Sequence, residues 1–389
     1  VVEGLDCKVY NSTFENIFAG DDGGAIDWDA TRGVLNASTF INNKAEYNGG
    51  ALCREENADG GYGYNNIFYN NTARQGGAIS WMKANNININ HYTFVDNTAE
   101  VSGGAIYVGE GSGNCIVNNS YFEANNVTGT VGGHGGAIEW YSKEGTIDNS
   151  EFVNNKAYKG GAVFVGQVAG DINITNSVFT NNSAVTHGGA IDANASSVIM
   201  EHSEFYNNVA EYGGALYVGG AGESNSVEDC TFIGNNATEN GGAIDWAASN
   251  GNVLESTFEY NHAKNGGAVF VGGLAEEGSV INSTFNHNSA DEKGGAVAWN
   301  ATIGRLTGST FFNNSAQLGG ATYRGANSTG GFGYDNTYIS NKAELDGGAI
   351  YWNGAGGNIT YSEFHNNTAG RNGGAVYVGA VGATAYITD

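Results

Sequence analysis

The sequence predicts an all-β fold, a right-handed parallel β-helix of about 14 rungs that forms one domain over residues 1–389. Three observations predict it. A Gly-Gly-Ala triplet recurs fourteen times, at spacings of 25 to 32 residues. An aromatic residue in an F-x-x-N motif precedes most of these triplets by eight or nine residues. Proline is absent, as expected where nearly every backbone N–H joins a ladder between rungs.

Each repeat is about 25 residues long and contains two or three short β-rich segments, such as residues 34–40 and 162–166. Asparagine or glycine turns close these segments. This is the length of one coil of a parallel β-helix. Because a single rung cannot bury its own apolar face, stacking rungs at ~4.8 Å completes the sheet hydrogen bonds and the core together. The handedness follows from the rule for parallel crossover connections.

The repeated positions have structural roles in this geometry. The aromatic ring, the Ile or Val and the alanine of each repeat should point inward. The recurring asparagine should lie at a bend, where its amide can bond the same amide one rung away. The glycine pair permits a positive φ or a close backbone approach at a corner. We therefore expect an asparagine ladder beside a stacked aromatic core.

Two longer periods lie above the rung period. Rungs that end in tryptophan alternate with rungs that end in Val-Gly, so large and small inward residues alternate along the core. Residues 49–73 also match residues 319–343 at an offset of 270. Arg54 and Arg324 occupy the tryptophan or valine position in these two matching rungs. We expect both rungs to bulge so that the arginine reaches solvent, with a bound anion or a subunit contact as the alternative.

Block duplication predicts that the chain is a segment of a longer repeat array. Val1 begins inside the repeat without an initiator methionine or a leader, so we expect a mature or excised segment. The four cysteines are too scattered for a disulfide framework, and we expect buried thiols. The sequence contains no apolar run of about 18 residues, so it predicts no membrane span. The net charge of −25 makes nucleic acid an unfavourable partner.

Glycosylation sequons of the N-x-S/T type are frequent, as expected of a secreted protein. Their asparagines are Asn11, Asn36, Asn70, Asn118, Asn126, Asn173, Asn181, Asn194, Asn236, Asn282, Asn300, Asn313, Asn327, Asn358 and Asn366. The alternative is chance, because Asn, Ser and Thr are all common in this chain.

The F-x-x-N motif combined with Gly-Gly-Ala-Ile/Leu/Val resembles two families. One is the adhesin-like surface proteins of methanogenic archaea, and the other is the chlamydial polymorphic outer-membrane proteins. The resemblance covers the chain from Phe14 to Val378 and implies a secreted β-helical adhesin or surface filament. The first copy lacks the asparagine of F-x-x-N, and a later copy has Tyr338 in place of the phenylalanine. The chlamydial passengers also carry more cysteine. The absence of proline and the dense asparagine fit the archaeal set better.

The residue that follows Gly-Gly-Ala-Ile/Val should face outward, because strand side chains alternate. It is often acidic on tryptophan rungs and aromatic on Val-Gly rungs, which predicts a stripe of rings about 10 Å apart with carboxylates between them. Rings and acids suit a sugar or a partner protein, whereas the alternative is lateral stacking that stabilises the sheet. The stripe residues are Asp27, Tyr107, Glu139, Phe164, Asp192, Tyr217, Asp245, Phe270 and Tyr377.

These acids could instead bind Ca²⁺ or act in a polysaccharide-cleaving enzyme. Ca²⁺ needs six to eight converging oxygens, and Asp21 with Asp22 is the best local candidate. Lyase or hydrolase chemistry needs paired carboxylates or a nearby basic group, and the 15 lysines and arginines form no cluster. The seven histidines lack zinc-ligand spacing. We therefore predict no catalytic residue and no cofactor, and no metal site apart from that calcium candidate.

The sequence thus predicts a non-catalytic extracellular stalk at the cell surface that mediates projection or attachment. Its expected partners are a glycan or protein of another cell, or neighbouring copies of itself. Two alternatives remain open. One is a filament subunit that polymerises through the open ends of the helix, and the other is a polysaccharide-active β-helix enzyme with a groove along the helix.

Overall fold

The computed structural model describes residues 7–56, 58–130, 132–167, 169–194, 197–219, 225–272, 278–379 and 385–388. The chain divides into two compact units, residues 1–199 and residues 200–389. Every regular element in these described ranges is a β-strand. Successive rungs of each unit place their strands side by side in four parallel sheets, called here the first to the fourth sheet in chain order.

The strands of unit 1 (residues 1–199) are as follows. The first-sheet strands are Lys8–Tyr10, Val34–Asn36, Gly61–Tyr64, Ile87–Asn90, Gly113–Asn118, Lys143–Asp148 and Asp171–Thr175. The second-sheet strands are Thr13–Glu15, Thr39–Ile41, Ile67–Tyr69, Thr93–Val95, Tyr121–Glu123, Glu151–Val153 and Val178–Thr180. The third-sheet strands are Phe18–Ala19, Lys44–Ala45, Thr72–Gln75, Thr98–Ser102, Asn126–Val127, Lys156–Lys159 and Ser183–His187. The fourth-sheet strands are Ile26–Trp28, Leu52–Arg54, Ile79–Trp81, Ile106–Val108, Ile138–Trp140, Val163–Val165 and Ile191–Ala193.

The strands of unit 2 (residues 200–389) repeat the pattern, and the strand Ser197–Glu201 contains the boundary. The first-sheet strands are Ser226–Glu228, Asn252–Leu254, Gly278–Ile281, Gly304–Thr307, Phe332–Tyr334, Gly357–Thr360 and Ala385–Thr388. The second-sheet strands are Glu204–Tyr206, Thr231–Ile233, Thr257–Glu259, Thr284–Asn286, Thr310–Phe312, Thr337–Ile339 and Glu363–His365. The third-sheet strands are Val209–Tyr212, Asn236–Asn240, His262–Asn265, Ser289–Lys293, Ser315–Leu318, Lys342–Asp346 and Thr368–Ala369. The fourth-sheet strands are Leu216–Val218, Ile244–Trp246, Val269–Val271, Val297–Trp299, Thr322–Arg324, Ile350–Trp352 and Val376–Val378.

The number of rungs agrees with the prediction. The fourth sheet contributes seven described strands in unit 1 and seven in unit 2, which gives fourteen. Each of these strands follows one Gly-Gly-Ala triplet. The fold is therefore the all-β parallel β-helix that the repeat predicts.

The F-x-x-N aromatic rings form a continuous stack inside each unit. Phe40 and Phe68 lie 4.7 Å apart between ring centroids in unit 1, and Phe232 and Phe258 lie 4.9 Å apart in unit 2. These distances match the rung spacing, so neighbouring rings pack face to face. Phe40, Phe68, Phe232 and Phe258 are fully buried, and the stack lies in the core.

The asparagine of F-x-x-N forms the expected ladder. In unit 1, Asn43 Nδ2 donates to Asn71 Oδ1 at 3.0 Å and to the carbonyl of Phe14 at 3.0 Å. The same pair of bonds recurs in unit 2, where Asn261 donates to Asn288 and to the carbonyl of Phe232. Each side chain thus satisfies its own buried amide and a backbone carbonyl at the bend. The first rung departs from the ladder, because Ile17 stands at this position and only its backbone N–H donates to Asn43 Oδ1, at 3.1 Å.

The glycine pair makes the corner between the third and fourth sheets. Gly241 adopts φ 63°, and a Cβ placed there would lie 2.1 Å from the carbonyl oxygen of Ile244. A Cβ on Gly242 would lie 2.0 Å from the carbonyl oxygen of Gly267 on the next rung. The first glycine therefore supplies a left-handed conformation and the second a close approach between rungs.

The prediction that Arg54 and Arg324 reach solvent is wrong. Their exposed fractions are 3% and 5%, and both side chains point into the core. The Arg54 guanidinium lies 4.7 Å from the centroid of the Trp28 ring, and Arg324 lies between Trp299 and Trp352 at 5.1 and 4.8 Å. Burial lowers the pKa of Arg324 to about 10.

A glycine at the start of the facing first-sheet strand, or directly before it, creates the space that each arginine fills. A Cβ on Gly61 would lie 2.5 Å from Arg54 Nη1, and a Cβ on Gly331 would lie 2.0 Å from Arg324 Nη1. Arg324 Nη2 also donates to the carbonyl of Gly304 at 3.0 Å. Indole faces and backbone carbonyls therefore replace water around the charge.

The cysteines follow the expectation of buried thiols. Cys53, Cys115 and Cys230 are buried, Cys7 is half-buried, and all four are free. The part of the chain that the structure describes contains no helix with the length and hydropathy needed to cross a membrane.

Candidate functional site

The predicted stripe lies on the outward side of the fourth sheet. In unit 1, the strand register pairs Tyr107 with Glu139, Glu139 with Phe164, and Phe164 with Asp192. Unit 2 places Tyr217, Asp245, Phe270, Ala298, Tyr323, Tyr351 and Tyr377 in one column. Rings and acids therefore alternate from Tyr107 to Asp192, as their spacing in the sequence predicts, whereas Cys53 and Ser80 follow Asp27 at the start of the column.

The expected outward presentation of the stripe is wrong for several members. Glu139 is 1% exposed, and Phe164, Asp192 and Asp245 are buried as well. Side chains next to the glycine corner cover part of the column. The His134 ring, which directly precedes the glycine pair of its rung, stacks on Phe164 with centroids 4.2 Å apart. The half-buried members are Asp27, Tyr107, Tyr217, Phe270 and Tyr377.

Burial dominates the electrostatics of the covered acids. It raises the pKa of the Glu139 carboxyl, although His134 Nδ1 lies 3.2 Å from Glu139 Oε1 and opposes the shift. Burial also raises the pKa of Asp192 to about 8, while Asn194 donates to its Oδ1 at 2.5 Å. Burial likewise raises the pKa of Asp245. These three carboxyls are therefore held in environments that are closed to solvent.

Three tyrosines of the column stack on one another in unit 2. The Tyr323 and Tyr351 centroids are 5.3 Å apart, and the Tyr351 and Tyr377 centroids are 4.9 Å apart. Each ring face packs on the next ring, so the edges and hydroxyls of the stack are what the surface presents. This stack matches lateral stabilisation of the sheet better than sugar stacking on ring faces.

A pair of exposed aromatic rings occurs twice on the first sheet, in the two rungs that match at an offset of 270. We call the Gly61–Tyr64 strand with Arg54 aromatic cassette 1, and residues 331–334 with Arg324 aromatic cassette 2. Tyr62 and Tyr64 are 56% and 50% exposed in cassette 1. Phe332 and Tyr334 are 43% and 48% exposed in cassette 2.

The cassettes also share their surroundings. In cassette 1, Tyr64 contacts the His91 ring at 5.0 Å, and Tyr62 lies beside Asn88 on the next rung. In cassette 2, Tyr334 contacts the Tyr361 ring at 5.4 Å, and Phe332 lies beside Asn358. The glycine before the first ring of each cassette, Gly61 or Gly331, faces the buried arginine. The repeated GGYGY and GGFGY sequences were the signal for this surface, but their exposed rings were not predicted as a site.

The calcium candidates are arranged differently from the expectation. Asp21 is exposed, whereas Asp22 is half-buried and its Oδ1 accepts the backbone N–H of Asn48 at 2.8 Å. A carboxylate oxygen of Asp22 groups instead with the Cys53 thiol and a Glu55 carboxylate oxygen, all within 4.8 Å of one another. A thiol is not a calcium ligand, so the grouping differs in chemistry from the site that the sequence suggested.

The sequon asparagines are all accessible. Each of the fifteen is exposed or half-buried. Several directly precede a ladder asparagine, as Asn181 precedes the buried Asn182 and Asn313 precedes the buried Asn314. Glycan attachment at the sequons would therefore leave the buried ladder intact.

Comparisons with known proteins agree with this architecture. Residues 122–275 match the right-handed β-helix region, and residues 37–53, 92–109 and 361–379 match the Chlamydia polymorphic membrane protein repeat. Comparison with curated proteins gave no match. The chain is also similar to the crystal structure of a TibC-catalyzed hyper-glycosylated TibA fragment, with 11% identity, coverage of 100% of this chain and 97% of that chain, and a TM-score of 0.21.

The TibA likeness carries no argument at that TM-score. The two sequence matches confirm the predicted right-handed parallel β-helix and the predicted similarity to the chlamydial repeats. Each chlamydial match runs from a second-sheet strand through Gly-Gly-Ala into a fourth-sheet strand. The similarity therefore lies in the same motifs that build the aromatic stack, the ladder and the glycine corner.

Proposed function

We propose that this chain is a non-catalytic extracellular segment of a cell-surface adhesin that mediates projection and attachment. The observation that carries the proposal is the duplicated aromatic cassette. Two exposed rings recur in both units, each pair supported from below by a buried arginine and two inward glycines. Fold stability alone does not require exposed rings at these positions, since the next rung has Asn88 and Asn90 there.

The chemistry of the cassettes favours a glycan of another cell as the partner. Tyrosine and phenylalanine rings offer flat apolar faces, and the neighbouring amides of Asn88 and Asn358 offer both donors and acceptors. A pyranose ring needs this combination, because it presents C–H groups on its faces and hydroxyls at its edge. The accessible stripe residues Tyr107, Tyr217 and Phe270 are proposed as a second contact surface, with Asp27 and Tyr377.

Several features support an extracellular location. The similarity to Chlamydia polymorphic membrane protein repeats favours a surface-exposed passenger. The accessible sequons suit a glycoprotein, and the absence of proline with dense asparagine favours the archaeal adhesin-like set. The alternative of a filament subunit is tested by the attachment experiment described below. The closed environments of Glu139 and Asp192 weigh against a polysaccharide-cleaving enzyme.

The proposal is tested by measuring the attachment of beads that carry the purified chain to target cells. Two double variants remove the rings, Tyr62→Ser with Tyr64→Ser and Phe332→Ser with Tyr334→Ser. We expect each to reduce attachment more than tenfold and the combined variant to abolish it, since paired weak sites act by avidity. Tyr47→Ser and Tyr260→Ser, which remove rings of 50% and 59% exposure outside the cassettes, should bind as the unmodified chain does.

The nature of the target follows from treating the cells before the assay. Periodate oxidation of cell-surface glycans should remove attachment, and protease treatment of the same cells should leave most of it. The reverse result would make the partner a protein. Full attachment by the combined variant, with an unchanged circular dichroism spectrum, would overturn the role of the cassettes. Beads that bind one another rather than cells would support the filament alternative.

A further inference from the structure

A thiol and two carboxylates converge near the glycine corner of the first two rungs of unit 1. Cys53 lies in the fourth-sheet strand Leu52–Arg54 and points outward from the sheet, Glu55 follows that strand, and Asp22 comes from the corner of the preceding rung. One ligand atom from each of the three lies within 4.8 Å of the other two. The residues are far apart in sequence, and it is the rung register that brings them together.

The residues beside Cys53 in its column are polar. Cys53 is 0% exposed. Its neighbours in the same column are Asp27 and Ser80, and Asp27 Oδ1 and Ser80 Oγ are buried atoms with no hydrogen-bond partner among the described residues. Ser80 is itself 0% exposed. A buried polar group without a partner costs free energy, and both residues are neighbours of Cys53 in the strand register.

The other buried thiols have ordinary surroundings. Cys115 Sγ donates to the carbonyl of Ala84 at 3.6 Å, and Cys230 Sγ donates to the carbonyl of Glu228 at 3.2 Å. Neither belongs to a group of potential metal ligands in the ranges that the structure describes. The group around Cys53 therefore has a distinct chemical character within the same fold.

A further carboxylate lies beside this group, because the strand register pairs Asp27 with Cys53. A bound cation would offset the repulsion between carboxylates that lie this close together.

We infer that Asp22, Cys53 and Glu55 bind a divalent cation of the zinc class, with Asp27 or water as the fourth ligand. Zinc accepts thiolate and carboxylate together in a tetrahedral site, at about 2.3 Å for sulfur and about 2.0–2.2 Å for oxygen. Ligand atoms within 4.8 Å of one another reach these distances by small side-chain rotations. The expectation from sequence that the histidine spacing excludes zinc did not consider this thiol–carboxylate set.

Binding replaces the thiol proton by the metal. The Cys53 S–H bond breaks, its proton is released to solvent, and the sulfur lone pair forms the bond to the cation. Affinity therefore rises with pH. Since Asp22 and Cys53 belong to adjacent rungs, the cation would cross-link them. The site is absent from the matching rung of unit 2, where Tyr323 and Gly325 stand at the positions of Cys53 and Glu55.

The test is a titration of the reduced chain with Cd²⁺, followed by the ultraviolet charge-transfer absorption of a cadmium–thiolate bond. The half-buried Cys7 is replaced by serine in all samples to remove a second accessible thiol. We expect a band that saturates at one equivalent. It should persist in Cys115→Ser and Cys230→Ser and disappear in Cys53→Ser. Asp22→Asn and Glu55→Gln should weaken binding by at least about tenfold, and excess Ca²⁺ should not compete.

Competition with Zn²⁺ should remove the cadmium band with the same stoichiometry, and circular dichroism confirms that each variant is folded. Two results would overturn the inference. One is the absence of a saturable band in the chain that retains Cys53, and the other is an unchanged band in Cys53→Ser. Unchanged affinity in both carboxylate variants would limit the site to the thiol and contradict the assigned ligand set. Attachment to cells is not measured in this titration, so its outcome is independent of the proposed function.

Discussion

The asparagine ladder makes a specific prediction about stability at Asn235. The side chain is buried, and its Nδ2 donates to the carbonyl of Phe205 at 2.9 Å and to Asn261 Oδ1 at 3.0 Å. Its Oδ1 accepts the backbone N–H and the Nδ2–H of Asn208, both at 3.0 Å. Asn235→Ala therefore deprives one carbonyl and two N–H groups of their partners.

The expected loss follows from those three groups. Each buried polar group left without a partner costs about 1–3 kcal/mol. The contributions are not additive, because they share one side chain and water can enter the space. We expect Asn235→Ala to lower the free energy of unfolding by about 3–5 kcal/mol. The adjacent Asn236 is exposed, so Asn236→Ala should change the stability by less than about 0.5 kcal/mol.

Equilibrium unfolding in urea measures both variants against the unmodified chain, and hydrogen exchange gives a local measurement. The backbone amide of Asn208 should lose protection in Asn235→Ala, because its acceptor is removed. Equal unfolding midpoints for Asn235→Ala and Asn236→Ala would refute the ladder argument. Unchanged exchange at Asn208 would show that the hydrogen bond was not formed.

Three further predictions concern the core and the covered acids. Asp192→Asn should stabilise the protein at pH 8 and have little effect at pH 4, because burial raises the pKa of Asp192 from 3.8 to about 8. Between these two pKa values the Asp192 carboxyl is ionised in the unfolded chain and protonated in the folded chain. The contribution of Asp192 to the free energy of unfolding is therefore fully present below pH 3.8 and falls as the pH rises. Urea unfolding at both pH values measures the difference. Phe258→Ala should cost about 3–5 kcal/mol in the same assay, because it removes a fully buried ring from the stack. Gly331→Ala should lower the melting temperature, since its Cβ would lie 2.0 Å from Arg324 Nη1. The decrease should be smaller when Arg324→Ala is already present. Equal decreases with and without Arg324→Ala would contradict this packing.

The fold could be predicted because one set of local requirements repeats. The ring of Phe205, the amide of Asn208 and the positive φ of Gly213 are each fixed by their own position in the rung, and stacking multiplies every requirement. A pattern that recurs at the rung spacing reports directly on neighbours in space. The structure therefore agrees with the sequence wherever a residue interacts with its own equivalent one rung away.

The burial of single side chains could not be predicted in the same way. The expectation for Arg324 assumed that a charge avoids the core, and it did not account for the space above Gly331 or for two indole faces. Glu139 was expected at the surface because strand side chains alternate. Alternation gives the side of the sheet but not what covers that side, and here His134, which precedes the glycine pair of its own rung, does so.

The proposed metal site shows a further limit of the sequence pattern. Asp22 and Cys53 come from different positions of different rungs, so no motif joins them. Their proximity depends on the corner geometry and on the register between Asp27 and Cys53. The aromatic cassettes were detectable in the sequence as a duplication. The exposure of Tyr62 and Phe332 could be predicted only by knowing that the glycine before each ring faces inward.

The most direct test of the account is whether the chain lies outside the cell. Antibodies raised against the purified chain are applied to intact cells of the source organism, before and after brief treatment with an external protease. We expect labelling of intact cells that disappears after protease treatment. Labelling that requires permeabilised cells would contradict an extracellular attachment segment, whatever the purified chain binds in isolation.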